Sequence, residues 1–107
     1  MTERLLSSIS DEIVRRIRAI AEPEKIILFG SYARGEEGID SDLDLLIVLN
    51  SDLPRHKRAV PFYEALSGLG VAKDIVVYTP SEVEEWQTAS CSLAATVLRE
   101  GEVLYEN

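Results

Sequence analysis

Three observations predict a small α/β (α+β) fold, a mixed sheet flanked by helices. The chain has 107 residues, enough for one hydrophobic core and not for two, so a single domain over residues 1–107 is expected. Ile9, Ile13, Val14, Ile17 and Ile20 recur at the spacing of one helix face. Three short apolar runs, Lys25 to Phe29, Leu43 to Leu49 and Val71 to Tyr78, are bounded by breakers and polar loops, which marks them as strands.

The first helix carries Asp11, Glu12, Arg15, Arg16 and Arg18 between its apolar positions. Asp11/Arg15 and Glu12/Arg16 have the favourable acid-before-base order. Pro23 stops this helix, and Gly30 closes the strand that follows. A polar loop from Glu36 to Ser41 leads into the second strand. Asn50 to Pro54 then forms a turn into a helical stretch. Pro61 interrupts that stretch, because its ring removes a hydrogen bond and clashes with the preceding turn. The expectation is a kink, or a new helix beginning at Pro61 and ending at Gly68 or Gly70.

After the third strand, Thr79-Pro80-Ser81-Glu82 supplies an N-cap, a first-turn proline and a capping-box glutamate. The helix it starts is expected to break near Ser90 to Ser92 and to resume as far as Glu100, with Gly101 as its stop. Glu102 to Tyr105 reads as a short edge strand. Arg55-His56-Lys57-Arg58 is the one basic cluster and reads as a solvated helix start. Trp86 and Cys91 are expected to pack in the core, and burial is the expected fate of Tyr32.

Composition narrows the function. Hydrophobic residues are 46% and charged residues 28%, which is the balance of a globular chain and not of a disordered one. The net charge of −8 argues against direct binding to nucleic acid or to an anionic membrane, both of which favour a basic surface. One histidine and one cysteine exclude a zinc site of several His/Cys ligands and an internal disulfide. Nothing resembles a signal-peptide core or a membrane span, so a cytoplasmic protein is expected.

Two segments carry chemistry. Gly30-Ser31-Tyr32-Ala33-Arg34-Gly35 directly follows a strand, and Asp42-Leu43-Asp44 opens the next one, with ten residues separating Ser31 from Asp42. Residues two apart on a strand point to the same face, so Asp42 and Asp44 present two carboxylates together. Like charges that close are best tolerated around a cation, and hard oxygen ligands suit Mg²⁺ with substrate phosphates completing its shell. Backbone N–H groups after Gly30, with the Ser31 hydroxyl, form a candidate phosphate cradle. Arg34 either adds a bidentate phosphate contact or bridges to Glu36 or Glu37. Asp74 is an acid within an apolar run. It either joins the cluster as a metal ligand and proton acceptor or faces solvent from an edge strand. Such a constellation fits metal-assisted nucleotidyl transfer.

These residues resemble a known family. Gly30-Ser31, Ser41-Asp42-Leu43-Asp44-Leu45, the later strand acid Asp74 and Arg99-Glu100-Gly101-Glu102-Val103-Leu104-Tyr105 resemble the signature of the DNA polymerase beta-like nucleotidyltransferase superfamily. Within it they are most similar to the minimal nucleotidyltransferases of prokaryotes, the MNT-type antitoxins paired with HEPN-domain toxins. The resemblance implies a nucleotidyltransferase-like fold and transfer of AMP from ATP to a hydroxyl with two Mg²⁺ ions. It implies Asp42, Asp44 and Asp74 as metal ligands and catalytic residues, and Gly30 and Ser31, with Arg34 beside them, as nucleotide-binding. The implied acceptor is a tyrosine of the partner HEPN toxin, which would make the chain a type VII-like antitoxin. Two alternatives stay open: neutralisation of the partner by binding alone, or transfer to a small hydroxyl compound.

Overall fold

The computed structural model describes residues 2–29, 43–69, 73–86, 97, 99 and 101–107. Its elements run α1 (Thr2–Ile20), β1 (Lys25–Phe29), β2 (Leu43–Val48), α2 (Arg55–Arg58), α3 (Val60–Ala65), β3 (Lys73–Tyr78), α4 (Pro80–Trp86) and β4 (Glu102–Glu106). The strands form one mixed sheet in the order β3-β2-β1-β4. β1 lies antiparallel to both β2 and β4, whereas β2 and β3 are parallel. This is the mixed α/β sheet the sequence predicts.

The central strands are apolar because both faces of the sheet are covered. Alternate residues point to opposite faces. One face of β2 sends Leu43, Leu45 and Ile47 into a cluster with Ile13 and Ile17 of α1, Phe62 of α3 and Ile75 and Val77 of β3. The other face sends Leu46 and Val48 against Ile27 and Val97, with Phe29, Val76, Tyr78 and Val83 around them. Each fully buried Leu or Ile stabilises the fold by about 1.5–3 kcal/mol, so five buried residues out of six in β2 make it the spine of the sheet.

α1 ends where Pro23, itself fully buried, forbids another turn. Its Glu12 pairs with Arg16 as the spacing predicts, and with Arg15 as well. Arg15 bonds Glu12 three residues back, and Arg16 bonds the same carboxylate from four residues on. Arg16 also donates to the carbonyls of Ala65 at 3.3 Å and Ser67 at 2.8 Å, which places a cation at the carboxyl end of α3 and ties it to α1. Hydrogen bonds from Arg15 and then Arg16 hold the Glu12 carboxyl down at about 2.

Pro61 opens a new helix: α3 begins at Val60, with the proline in its first turn where no intrahelical donor is required. The helix ends in a turn through Gly68, whose φ of 87° is the left-handed conformation a glycine adopts without strain. Gly101 follows the helical residues Val97 and Arg99 but stops the helix for a different reason. Its φ is not left-handed. Its N–H donates to the Val97 carbonyl at 2.7 Å. A Cβ there would lie 2.5 Å from Ile27 Cγ2 and 2.6 Å from the Val97 oxygen. Close approach to β1, not backbone freedom, demands glycine here.

The capping box forms as the sequence predicts. Glu82 N–H donates to Thr79 Oγ1 at 3.2 Å, and Thr79 N–H donates to Glu82 Oε1 at 2.9 Å. β4 is the edge strand expected from Glu102 to Tyr105, one residue longer. Arg18 of α1 lies 4.7 Å over the Tyr105 ring and helps seat it. The expected helix break near Ser90 to Ser92 and the burial of Cys91 and Tyr32 fall outside the described residues. Among the described residues, no helix is long and apolar enough to cross a membrane.

Candidate active site

Strand pairing brings two of the predicted acids together. Asp44 and Asp74 are the second residues of β2 and β3, and they are direct register partners in the parallel ladder. On the other side of β2, Asp44 is the register partner of Phe29, the last residue of β1. One row of the sheet therefore reads Phe29, Asp44, Asp74. Neighbouring strands lie about 4.8 Å apart, so the two side chains leave the same face of the sheet from adjacent positions. Asp44 is half-buried and Asp74 exposed.

Acids are unfavourable in strands, and like charges directly opposite each other destabilise a ladder by roughly 0.2–1 kcal/mol. Their placement at the amino ends of β2 and β3, on the face shared with Phe29, makes them candidate ligands for a hard cation. A pair of hard carboxylate donors fits Mg²⁺ and does not fit a soft or imidazole-ligated metal. Among the described residues, no group of three His, Cys, Asp or Glu side chains gathers in ligating range. Gly30, Ser31, Arg34 and Asp42 lie outside the described residues. Gly30 follows Phe29 in the chain, and Asp42 precedes β2 by one residue.

Both readings of Asp74 meet here. β3 is an edge strand and Asp74 is exposed, yet its register places it beside Asp44. Its carboxylate is also approached from behind. Tyr63 of α3 extends its hydroxyl around the open edge of β3. That oxygen accepts from the Ile75 N–H at 2.9 Å and lies 3.4 Å from Asp74 Oδ1. No sequence spacing links Tyr63 to Asp74, because the contact depends on where α3 docks.

The basic cluster needs correction in one member. Arg55, His56 and Lys57 are exposed, as expected of a solvated helix start. The Arg58 side chain is only 10% exposed. It donates to the Leu53 carbonyl at 2.9 Å, to the Val77 carbonyl at 3.4 Å and to Glu82 Oε1 at 2.6 Å. Arg55 reaches the same Glu82 carboxylate at 3.2 Å. Partial burial pushes the Glu82 carboxyl up, but the Thr79 N–H, Arg58 and Arg55 outweigh it and hold it at about 2. The capping glutamate thus binds α2, β3 and α4 into one frame at the carboxyl end of β3, the end opposite the acids.

An apolar cleft of about 470 Å³, lined by residues such as Ile20, Leu49, Leu53, Phe62 and Val77, opens at the carboxyl ends of β2 and β3. The acids stand at the amino ends, so the cleft takes no part in the site.

Comparison with known proteins identifies the family and the fold. The family model for the nucleotidyltransferase domain matches residues 10–101. The Methanocaldococcus jannaschii protein called "Putative protein adenylyltransferase MJ0604" is 37% identical over 84 residues, which cover 77% of this chain and 78% of that protein. A CCA-adding enzyme of Thermoplasma acidophilum is 38% identical over 56 residues, covering 49% of this chain and only 25% of the enzyme. Among solved structures, a "putative nucleotidyltransferase" from Sulfolobus solfataricus superposes with a TM-score of 0.67 at 19% identity, over 99% of this chain and 85% of that one. A toxin-antitoxin crystallised with AMP-PNP superposes with a TM-score of 0.58 at 20% identity, over 92% of this chain and 73% of the other.

Proposed function

This chain belongs to the nucleotidyltransferase domain family, and from that premise we propose that it transfers AMP from ATP to a hydroxyl of a partner protein, a tyrosine of a HEPN-type toxin. The observation that carries the reading is the register pairing of Asp44 with Asp74 beside the end of β1.

The residues fit a divalent cation, with Asp44 and Asp74, joined by Asp42, as its ligands. When bound, Mg²⁺ neutralises triphosphate charge and stabilises charge building on the leaving pyrophosphate. Gly30 and Ser31 hold the triphosphate, Gly30 by close backbone approach and Ser31 through its hydroxyl. Arg34 adds a forked contact to a phosphate oxygen. Asp74, at the exposed strand edge, is the acid an incoming hydroxyl meets, and it accepts the hydroxyl proton as the oxygen attacks the α-phosphorus. The partner then gains AMP, and pyrophosphate leaves.

A toxin partner is supported by the likeness in fold to a toxin-antitoxin crystallised with AMP-PNP, and transfer to protein by the relative called a protein adenylyltransferase. Incubation with ATP, Mg²⁺ and the product of the adjacent reading frame is expected to raise that partner's mass by one AMP on a tyrosine. Asp44→Asn and Asp74→Asn are each expected to lower the rate by at least about a hundredfold. A partner that is neutralised by the wild type with its mass unchanged would refute catalysis and leave neutralisation by binding.

A further inference from the structure

We propose that Tyr63 is a positioning residue for Asp74, fixing the carboxylate through a hydroxyl that is itself anchored on the main chain. The inference rests on the reading of Asp74 as part of the active site.

Among the described residues, β3 has no strand on its outer side. In a parallel ladder alternate residues bond inward, and Leu49 N–H donating to the Tyr78 carbonyl at 3.0 Å shows that the even-numbered residues of β3 face β2. Ile75 and Val77 therefore turn their backbone groups outward. Two side chains from the preceding helices receive them. Arg58 donates to the Val77 carbonyl, and Tyr63 accepts from the Ile75 N–H. An open strand edge is closed in this way against a further strand.

The Tyr63 contact does more than close the edge. At 2.9 Å from Ile75 N, the phenolic oxygen is held at one point on the backbone of β3. Its own proton is then directed at Asp74 Oδ1, 3.4 Å away on the neighbouring residue. An exposed aspartate otherwise samples several staggered rotamers. A donor anchored to the strand that carries the aspartate favours one of them, whatever the surrounding loops do. The distance is long for an O–H donor, so the effect is a bias in orientation and not a strong bond. The same anchoring argues against Tyr63 as an acceptor of AMP, because its oxygen already accepts the hydrogen bond from the Ile75 N–H.

Mn²⁺ binding followed by electron paramagnetic resonance, with and without AMP-PNP, tests this beside steady-state transfer. Tyr63→Phe keeps the ring and removes the hydroxyl. It is expected to weaken Mn²⁺ binding and lower kcat by about tenfold, the low end for a group that orients a metal ligand, with the KM for ATP unchanged. Tyr63→Leu, which also removes the ring, is expected to match Tyr63→Phe in Mn²⁺ binding. If only Tyr63→Leu weakens the metal, packing is responsible and the proposal fails. If Asp74→Asn is inactive while Tyr63→Phe behaves as the wild type, the Tyr63 role alone is overturned. If Asp74→Asn is fully active, the active-site reading beneath it falls. An AMP adduct on Tyr63 in the wild type would also overturn the positioning role.

Discussion

Gly101→Ala is the most severe single-methyl change the structure allows a prediction for. A Cβ at Gly101 meets Ile27 Cγ2 at 2.5 Å, the Val97 carbonyl oxygen at 2.6 Å and the Leu28 carbonyl oxygen at 3.2 Å. Ordinary carbon contacts begin near 3.5 Å, so two of the three neighbours must move by about an ångström. Ile27 is 1% exposed and packed between β2 and β4, so its methyl has no vacant space to enter. The Val97 oxygen is the acceptor for Gly101 N–H, so moving it loosens that bond. Overpacking of a tight core costs about 1–3 kcal/mol, and with two rigid neighbours the upper end, about 3 kcal/mol, is expected. For a domain of this size that is a fall in Tm of roughly 10–20 °C.

The paired control is Gly68→Ala. Nothing lies within 4 Å of a Cβ there, and only the φ of 87° resists it. That variant is expected to lose about 1 kcal/mol. Urea unfolding and thermal melts followed by circular dichroism measure both. A Gly101→Ala chain as stable as Gly68→Ala would refute the argument that Gly101 is required by close approach.

Two more predictions concern the frame at the carboxyl end of β3. Arg58→Met removes three contacts from a side chain only 10% exposed but leaves Glu82 with Arg55 and Thr79. A loss of about 2–3 kcal/mol in urea unfolding is expected, and a loss under 0.5 kcal/mol, the ordinary range of surface substitutions, would mean the cluster is a solvated helix start after all. Glu82 is held at about 2 against an ordinary 4.5, so its contribution is complete above about pH 4.5 and is lost as pH falls toward 2. The stability gap between wild type and Glu82→Gln is accordingly expected to be about 1–2 kcal/mol at pH 7, discounted for the solvent reaching Arg55. It should close as the pH is lowered, and a gap that widens on acidification would contradict the assignment.

Much of the molecule was legible before any fold was known, for local reasons. The capping box of Thr79 and Glu82 needs only four consecutive residues, and Pro61 at the start of α3 needs only its own ring. β2 announced itself because a strand buried on both faces is apolar throughout. Arg58 is not legible, because a solvated arginine and a buried one look alike until the groups around them are known. Gly101 marks a helix stop in the sequence, but the need for glycine there lies in Ile27, a residue far away in the chain.

The sequence by itself determined the chemistry on offer: carboxylates at the start of β2, one more within β3, and a glycine-serine segment after β1, all set by residue type and spacing. Only tertiary structure decided which of these meet. Asp44 and Asp74 stand side by side because β2 and β3 pair in parallel with that register, and a register one residue away would send Asp74 to the opposite face. Tyr63 reaches Asp74 because α3 docks along the outer edge of β3, a placement set by the burial of Phe62 and Leu66 and by no pattern around Tyr63 itself. Periodicity and spacing act along the chain, but a site on a sheet edge is assembled across it.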